Sequence, residues 1–271
     1  MSLFDLDGRV VVVTGALGRL GSEFCRGLLD HGARVAGLDL AAADSPQAQK
    51  WRSSICSAAD LTYVQGDVTD LASLKKAAVA VADQFGSVFG LVNNAGLDSP
   101  PDAPIEENGP YESYPLASWQ RVLSVNLTGP MLCCQAFGPP MTRAGKGSIV
   151  NISSIYGSLS PVQDIYEYRR QRGETFYKPV AYSASKSGLL NLTRYLATYW
   201  ARQGVRVNTL TLAGVEAGQE QAFLDNYRAR MPMQRMAEPD EYNGAVVFLM
   251  SDASRYMTGA NLLIDGGWSA W

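Results

Sequence analysis

The amino-acid sequence predicts an α/β fold, a doubly wound parallel sheet of about seven strands with helices on both faces. Short β-branched segments alternate with longer helical segments along all 271 residues, which is the pattern of β-α-β units. A glycine-rich segment separates the first predicted strand from the first predicted helix. No linker or change in composition divides the chain, so we expect one domain over residues 1–271.

The predicted strands are short and apolar, with many β-branched residues: residues 10–13, 34–38, 61–65, 88–92, 148–152, 205–210 and 261–264. The predicted helices have apolar residues at helical spacing: residues 20–31, 45–57, 70–85, 117–143, 182–203, 219–231 and 240–250. Two segments interrupt the alternation. Residues 97–115 are rich in proline and acidic side chains, and residues 161–179 mix aromatic and basic side chains. Both are predicted to be surface loops that insert beside the ligand-binding edge of the sheet.

Composition excludes several classes of function. The 23 basic and 26 acidic side chains give a formal charge of −3, so the excess basicity that favours nucleic acid is absent. His31, the single histidine, is predicted to end the first helix, and the four cysteines (Cys25, Cys56, Cys133 and Cys134) lack C-x-x-C spacing. No metal site is therefore expected, and the thiols are predicted to be buried. We expect neither a signal peptide nor a membrane span, and hence a cytoplasmic protein that binds no membrane.

The glycine-rich segment predicts a phosphate-binding loop. Gly15, Gly18 and Gly21 lie between a strand and a helix, where a close backbone approach and free helix amides favour a pyrophosphate. Asp39 ends the second predicted strand, where a carboxylate accepts hydrogen bonds from adenosine ribose. At 4 Å this carboxylate would repel a 2′-phosphate by up to about 4 kcal/mol. NAD is therefore favoured over NADP, although Arg19 beside the loop could bind a phosphate, and Asp39 has an alternative role as a solvated turn residue.

A tyrosine and a lysine four residues apart open the longest helix of the second half. This spacing places the phenol of Tyr182 and the ammonium of Lys186 on one helix face. A nearby cation lowers a tyrosine pKa, as general acid/base catalysis requires. The buried strand that precedes them ends in Ser153 and Ser154, which supply a hydroxyl at its carboxyl end. Tyr-x-x-x-Lys also occurs by chance in helices, so the combination with the glycine loop is what indicates a catalytic site.

These segments together resemble the short-chain dehydrogenase/reductase (SDR) family over essentially the whole chain. The matching motifs are residues 14–21, 66–68, 93–96, 124–126, 152–154, 182–186 and 265–267. The resemblance implies a Rossmann-type fold and an NAD-dependent oxidoreductase of the short, single-domain branch. It also implies hydride transfer between the nicotinamide and a secondary alcohol or ketone, without a metal.

The resemblance further implies a role for each matching residue. Tyr182 would exchange a proton with the substrate oxygen, Ser154 would hold that oxygen, and Asn126 would support a proton-relay water. Lys186 would bind the nicotinamide ribose and tune Tyr182. Ser153 is the alternative to Ser154, since strand alternation sends the two hydroxyls to opposite faces. The implied cofactor-binding residues are Gly15, Leu17, Gly18, Arg19, Leu20, Asp39, Asp67, Val68, Asn94, Ala95, Gly96, Tyr182, Lys186 and Val215.

The sequence departs from the family pattern in two loops. Arg19 stands where short members usually have glycine, and the spacing Gly-x-x-Gly-x-x-Gly is that of longer sugar-nucleotide members. After the sixth strand, Leu212 and Ala213 replace the usual Pro-Gly, and Ala217 replaces a threonine. Either the nicotinamide is held more weakly or this loop closes differently.

The segment between Ser154 and Tyr182 is longer than short family members usually show. We hypothesise that its basic side chains bind an anionic or polyhydroxylated substrate: Arg169, Arg170, Arg172 or Lys178. The alternatives are a solvated loop or a subunit contact. The surrounding motif is similar to members that modify carbohydrate or surface glycans, which favours a sugar-like small-molecule substrate.

Two other functions remain open. One is an acyl or hydroxy-acid carbonyl reductase, and the other is a dinucleotide-sensing protein without turnover. The apolar face of the helix after Tyr182, with Leu192, Leu196 and Tyr199, is predicted to pack in the core. In the family the corresponding helix commonly packs against its own copy, so a homodimer or homotetramer is expected.

Overall fold

The computed structural model describes residues 2–55, 59–98 and 106–271. Within them, strands β1 to β7 are, in chain order, Val10–Thr14, Arg34–Asp39, Leu61–Gln65, Val88–Asn93, Gly147–Ser154, Val205–Leu212 and Asn261–Ile264. All pair in parallel, in the order β3-β2-β1-β4-β5-β6-β7. The chain reverses its winding between β1 and β4, which is the point where parallel sheets of this class bind ligands.

Helices α1 to α10 are, in chain order, Arg19–Leu29, Pro46–Ser54, Leu71–Phe85, Leu116–Leu123, Gly129–Arg143, Ile155–Ser158, Glu167–Gln171, Val180–Trp200, Gln221–Arg228 and Asn243–Met250. Alternate residues of β1 enter two separate cores. Val11 and Val13 pack in one core with Phe24 of α1, while Val10 and Val12 pack in the other with α3 and α5. This alternation buries both faces of the sheet and confirms the predicted fold class.

The predicted helix at residues 117–143 is interrupted. Ser124–Thr128 forms a π-helical turn between α4 and α5, and the amide of Gly129 bonds to the carbonyl of Ser124. Pro130 has no N–H to donate to the carbonyl of Asn126 four residues earlier, which weakens the α-helical ladder at this point. The turn contains Asn126, one of the predicted site residues.

Residues 161–179 contain more regular secondary structure than the surface loop that the sequence predicts. They contain a 3₁₀ turn at Gln163–Tyr166 followed by α7. Ile165 and Phe176 are buried in a small third core beneath the segment. The prediction of a loop over the surface was therefore wrong for these side chains, because the aromatic residues supply enough apolar area to pack. In the other predicted loop, residues 99–105 lie outside the described part of the chain.

The remaining sequence predictions concern single residues. Cys25, Cys133 and Cys134 are buried and free, and burial raises the pKa of each thiol, while Cys56 lies outside the described residues. His31 follows α1, and its Nδ1 lies 2.8 Å from the carbonyl of Gly27, as expected for a helix-ending role. Among the described residues, no helix is both long and apolar enough to cross a membrane.

Candidate active site

The glycine loop follows β1 and packs tightly against the segment after β4. Gly15 has φ +65°, and a Cβ there would lie 2.8 Å from the Cα of Ala95. At Gly21 a Cβ would lie 2.1 Å from the carbonyl oxygen of Gly15. The side-chain amide of Asn94 donates to the carbonyls of Thr14 and Gly15 at 3.0 and 3.2 Å. Glycine is therefore required at both positions, and the loop is held in one shape.

A cavity of about 1050 Å³ opens over this loop. Eleven residues that the sequence assigned to the dinucleotide line it: Gly15, Leu17, Gly18, Arg19, Leu20, Asp39, Asp67, Val68, Asn94, Ala95 and Gly96. The cradle left by the glycines, together with the N-terminus of α1, suits a pyrophosphate. The residues present thus fit the adenosine and pyrophosphate portions of a nicotinamide dinucleotide.

Asp39 lies at the far end of this cavity. One carboxylate oxygen accepts from the amide of Leu17 at 3.0 Å and the other accepts from the amide of Leu40 at 2.8 Å. These bonds fix the carboxylate between the glycine loop and the end of β2. Arg19 also lines this cavity, and its guanidinium donates to the carbonyl of Glu216 in the loop after β6.

A second cavity, of about 390 Å³, lies over the carboxyl ends of β5 and β6. Ser154, Tyr182, Lys186 and Val215 line it. The two cavities share lining residues: Leu20, Asn94, Gly96, Leu97 and Asp98. They therefore form one continuous cleft along the carboxyl edge of the sheet.

The two serines at the end of β5 have different partners. The hydroxyl of Ser153 donates to the main-chain carbonyl of Lys186 at 2.9 Å. The hydroxyl of Ser154, by contrast, accepts from the amide of Tyr156 at 3.2 Å, and its interaction with the Tyr182 phenol offsets part of the rise in the pKa of that phenol. The alternation of the strand thus places the Ser154 hydroxyl beside the phenol, while the Ser153 hydroxyl is used to hold α8 on the sheet.

Lys186 lies one helical turn after Tyr182, and its Nζ is 5.8 Å from the centroid of the tyrosine ring. The ammonium donates to the carbonyl of Ile152 at 2.9 Å, and burial lowers the pKa of Lys186 to about 8. The pKa of Tyr182 is raised, chiefly by desolvation and then by the charge of Asp98. This direction is opposite to the one expected from the lysine, because the desolvation of the phenol is the largest effect on its pKa.

Asn126 lies behind the cavity and is fully buried. Its side chain accepts from the amide of Leu97 at 2.7 Å and donates to the carbonyl of Leu97 at 3.0 Å. It also donates to the hydroxyl of Ser185 at 3.1 Å. Asn126 therefore joins the π-helical turn to α8 and to the segment after β4. Gly96 lies close to both Asn126 and Lys186, since a Cβ added at Gly96 would be 3.5 Å from Asn126 Oδ1 and 3.5 Å from Lys186 Nζ.

The loop after β6 is closed by side chains that the sequence had not singled out. The Gln219 amide accepts from the Ala217 N–H at 2.7 Å and donates to the Val215 carbonyl at 2.9 Å. The hydroxyl of Tyr227 accepts from the amide of Gly214 at 2.7 Å. Gln219 and Tyr227 therefore fix the path of the loop that follows β6.

Comparison with known proteins identifies the family. A family model described as enoyl-(acyl carrier protein) reductase matches residues 15–269. D-threitol dehydrogenase from Mycolicibacterium smegmatis is 36% identical over 98% of this chain and 95% of that enzyme. The chain belongs to the short-chain dehydrogenase/reductase family. It is an oxidoreductase that acts on CH–OH groups and binds a nicotinamide dinucleotide and a small-molecule substrate.

Other SDR relatives have similar lengths. NADH-dependent L-xylulose reductase from Ambrosiozyma monospora is 33% identical over 99% of this chain and 97% of that enzyme. The crystal structure of a gluconate 5-dehydrogenase from Burkholderia cenocepacia, in complex with NADP and tartrate, superposes with a TM-score of 0.82 and 27% identity. That match covers 99% of this chain and 98% of the other. These relatives share the fold and differ in the dinucleotide that their descriptions name.

The four basic residues of the 161–179 segment are all paired with carboxylates in this SDR chain. Arg169 pairs with Glu174 at 2.6 Å, Arg170 with Glu167 at 2.5 Å, Arg172 with Glu220 at 2.8 Å, and Lys178 with Asp98. Arg169 and Lys178 line the smaller cavity. The guanidinium of Arg170 instead donates to the carbonyl of Gln163 at 3.2 Å and holds the segment together. The hypothesis of a substrate contact thus narrows to Arg169 and Lys178.

Tyrosines form much of the wall of the smaller cavity. Tyr166 and Tyr168 line it from the segment itself, and Tyr156 lines it from α6. The carboxylate of Asp98 is the functional candidate that the sequence analysis missed. Its only sequence signal is a position two residues after the Asn-Asn-Ala-Gly motif, within a loop whose path the sequence does not determine.

Proposed function

We propose that this SDR is an NAD-dependent dehydrogenase that interconverts a sugar alcohol and the corresponding ketose. The observation that supports it best is the meeting of Ser154, Tyr182 and Lys186 in a cavity continuous with the dinucleotide cleft. The polyol and sugar names of the relatives support the substrate class. The tyrosine-lined wall and the paired charges of Asp98 and Lys178 suit a polyhydroxylated molecule.

In this proposal, the chain orients the substrate and moves one proton. The bound dinucleotide supplies the hydride acceptor or donor. In the reductive direction, the phenol of Tyr182 donates its proton to the carbonyl oxygen, and in the oxidative direction it receives the proton of the hydroxyl. Ser154, which lines the same cavity as Tyr182, holds the same oxygen. Lys186, beside the ring, stabilises the phenolate that forms when the proton leaves, and Asn126 supports the proton path behind it.

The test is turnover by a Tyr182→Phe variant. Substrates are sugar alcohols of four to six carbons, including D-threitol, and product is followed by absorbance of the reduced nicotinamide. We expect kcat to fall by about 10²- to 10⁴-fold, because the proton-transfer group is removed, while titration with NADH shows unchanged dinucleotide binding. Tyr195→Phe is the matched control, since Tyr195 lies on the same helix and its side chain is 64% exposed.

Each alternative function has its own outcome in this assay. Turnover that survives in Tyr182→Phe would refute the proposed proton donor. Reduction of a ketoacyl thioester without oxidation of any sugar alcohol would indicate the acyl reductase. NADH binding without turnover of either class would indicate the dinucleotide-sensing protein.

The preference for NAD rests on Asp39. Its carboxylate is fixed at the adenosine end of the cleft and would repel a 2′-phosphate. We expect Asp39→Asn to lower the ratio of kcat/KM with NAD to kcat/KM with NADP by at least about tenfold, equivalent to about 1.4 kcal/mol. Asp44→Asn, an exposed acidic residue on the turn before α2, is the control. An unchanged ratio in Asp39→Asn would show that another group selects the dinucleotide.

The domain organisation, cellular location and oligomeric state of the enzyme are proposed from the sequence. We infer one SDR domain over residues 1–271, a cytoplasmic location, and a homodimer or homotetramer. The four paired cations of the 161–179 segment and the charge of −3 favour a small-molecule ligand over nucleic acid.

A further inference from the structure

Asp98 and Lys178 form an ion pair at the centre of the cleft. Asp98 lines both cavities and therefore lies where they join. Its carboxylate contacts the ammonium of Lys178, whose side chain is 8% exposed while that of Asp98 is 62% exposed. The pair thus combines a fixed, buried cation with an anion that faces the open cleft.

The pair lies next to the proposed proton donor. The Nζ of Lys178 is 4.8 Å from the centroid of the Tyr182 ring, a cation–π distance. Lys178 is fixed at its backbone, since its amide donates to Oε1 of Gln163 at 3.0 Å. The charge of Asp98 acts on both Tyr182 and Lys186. A substrate whose reacting oxygen is held by Ser154 and Tyr182 would therefore place its neighbouring carbon beside this pair.

We infer that Asp98 and Lys178 bind a hydroxyl group next to the reacting carbon and make this enzyme select a neutral polyol over a sugar acid. A hydroxyl both donates and accepts, so it can donate to the carboxylate and accept from the ammonium at the same time. A substrate carboxylate only accepts and would be repelled by Asp98. The inference rests on the proposed function and adds the groups that discriminate among polar substrates.

The pairing of the basic residues of the 161–179 segment supports a neutral ligand. Arg169, the other basic residue of the 161–179 segment in the wall, pairs with Glu174 at 2.6 Å and stacks on Phe176 at 4.6 Å. Glu220 adds a carboxylate to the lining. Each cation of this segment is therefore already balanced by an acidic side chain, and the wall is better suited to hydroxyl groups than to an anion.

The experiment compares three substrates on the unaltered enzyme and on Asp98→Asn and Lys178→Met. The substrates are the best polyol from the turnover assay, butan-2-ol, which has no neighbouring hydroxyl, and the aldonate of the same chain length as the polyol. On the unaltered enzyme, kcat/KM for the polyol should exceed that for each of the others by at least about tenfold, the effect of one charge-assisted hydrogen bond.

In both variants the polyol to butan-2-ol ratio should fall by at least about tenfold, mainly through KM. Asp98→Asn should also reduce the discrimination against the aldonate, and Lys178→Arg should retain most of the polyol preference. Arg34→Met, which removes a surface ion pair with Asp60 at 3.5 Å, is the matched control and should leave both ratios, polyol to butan-2-ol and polyol to aldonate, unchanged.

Ratios that stay within about twofold of the unaltered enzyme, in variants that still bind NADH, would overturn the inference and leave the proposed function standing. If the variants do not fold, the unaltered enzyme still tests the inference. Equal kcat/KM values for the polyol and butan-2-ol on that enzyme would also overturn the inference. If the unaltered enzyme oxidises no polyol at all, the proposed function and this inference fail together.

Discussion

Burial of Lys186 gives the protein a stability that depends on pH. Its pKa is lowered from 10.5 to about 8 by desolvation. Between these values the unfolded chain keeps the proton that the folded chain has lost, so unfolding takes up protons. The contribution of Lys186 to the free energy of unfolding therefore rises with pH across this window, and the penalty for burying the charged lysine is largest below about pH 8.

Lys186→Met should remove this contribution. At about 1.4 kcal/mol for each pKa unit, the contribution of the lysine amounts to at most about 3 kcal/mol. Urea unfolding between about pH 8 and 10, without added dinucleotide, measures the difference in pH slope between the two chains, in which the thiols and tyrosines that they share cancel. Lys75→Met, a change at an exposed position on α3, is the control. Equal pH slopes for Lys186→Met and the unaltered chain would contradict the assigned shift.

At the scale of residues, the sequence predicts where a side chain lies better than it predicts the pKa and hydrogen-bond partners of that side chain. The spacing of Tyr182 and Lys186 places them on one helix face, and the structure agrees. The direction of the tyrosine pKa could not be predicted, because desolvation and the charge of Asp98 depend on groups brought together by the fold. Gln219 was missed for the same reason, since its bonds to Val215 and Ala217 depend on the course of a loop.

At the scale of elements, periodicity locates every strand of the described sheet to within two residues at each end. It fails at the π-helical turn Ser124–Thr128, since apolar periodicity barely changes when one turn widens. It fails again at residues 161–179, where alternating apolar and charged side chains conceal a buried aromatic cluster. In both places tertiary packing decides the local structure.

A buried polar network sets the position of α8 on the sheet. Asn93 on β4 donates to Asn151 on β5 at 2.8 Å, and Asn151 donates to Thr193 on α8 at 2.8 Å. Thr209 on β6 also donates to Thr193, at 2.7 Å. Buried hydrogen bonds of this kind have strict geometry, so they fix the position of α8, the helix that carries Tyr182, relative to the sheet. Four residues so distant in sequence give no signal in a pattern of local periodicity.

At the scale of the whole molecule, the exposed aromatic face of α8 is a candidate surface for self-association. Tyr195 and Tyr199 are 64% and 62% exposed, and their rings stack with centroids 6.0 Å apart. The sequence placed the face with Leu192, Leu196 and Tyr199 in the core; Leu196 is buried, but the prediction was wrong for Tyr199. The tyrosines lie one helical turn apart on the outer side, where a second copy of the chain could cover them.

We therefore expect a homodimer or homotetramer in which α8 packs against its copy. The double variant Tyr195→Lys, Tyr199→Lys should dissociate this assembly. Charged side chains on both copies would lose the buried aromatic area and repel across the two-fold axis, because the same patch meets itself. Sedimentation velocity at working concentration measures the mass. Val79→Lys, a change at a 60% exposed position on α3, should leave the assembly intact. A monomer in the unaltered protein would reject the assembly, and an unchanged mass in the double variant would place the contact on another surface.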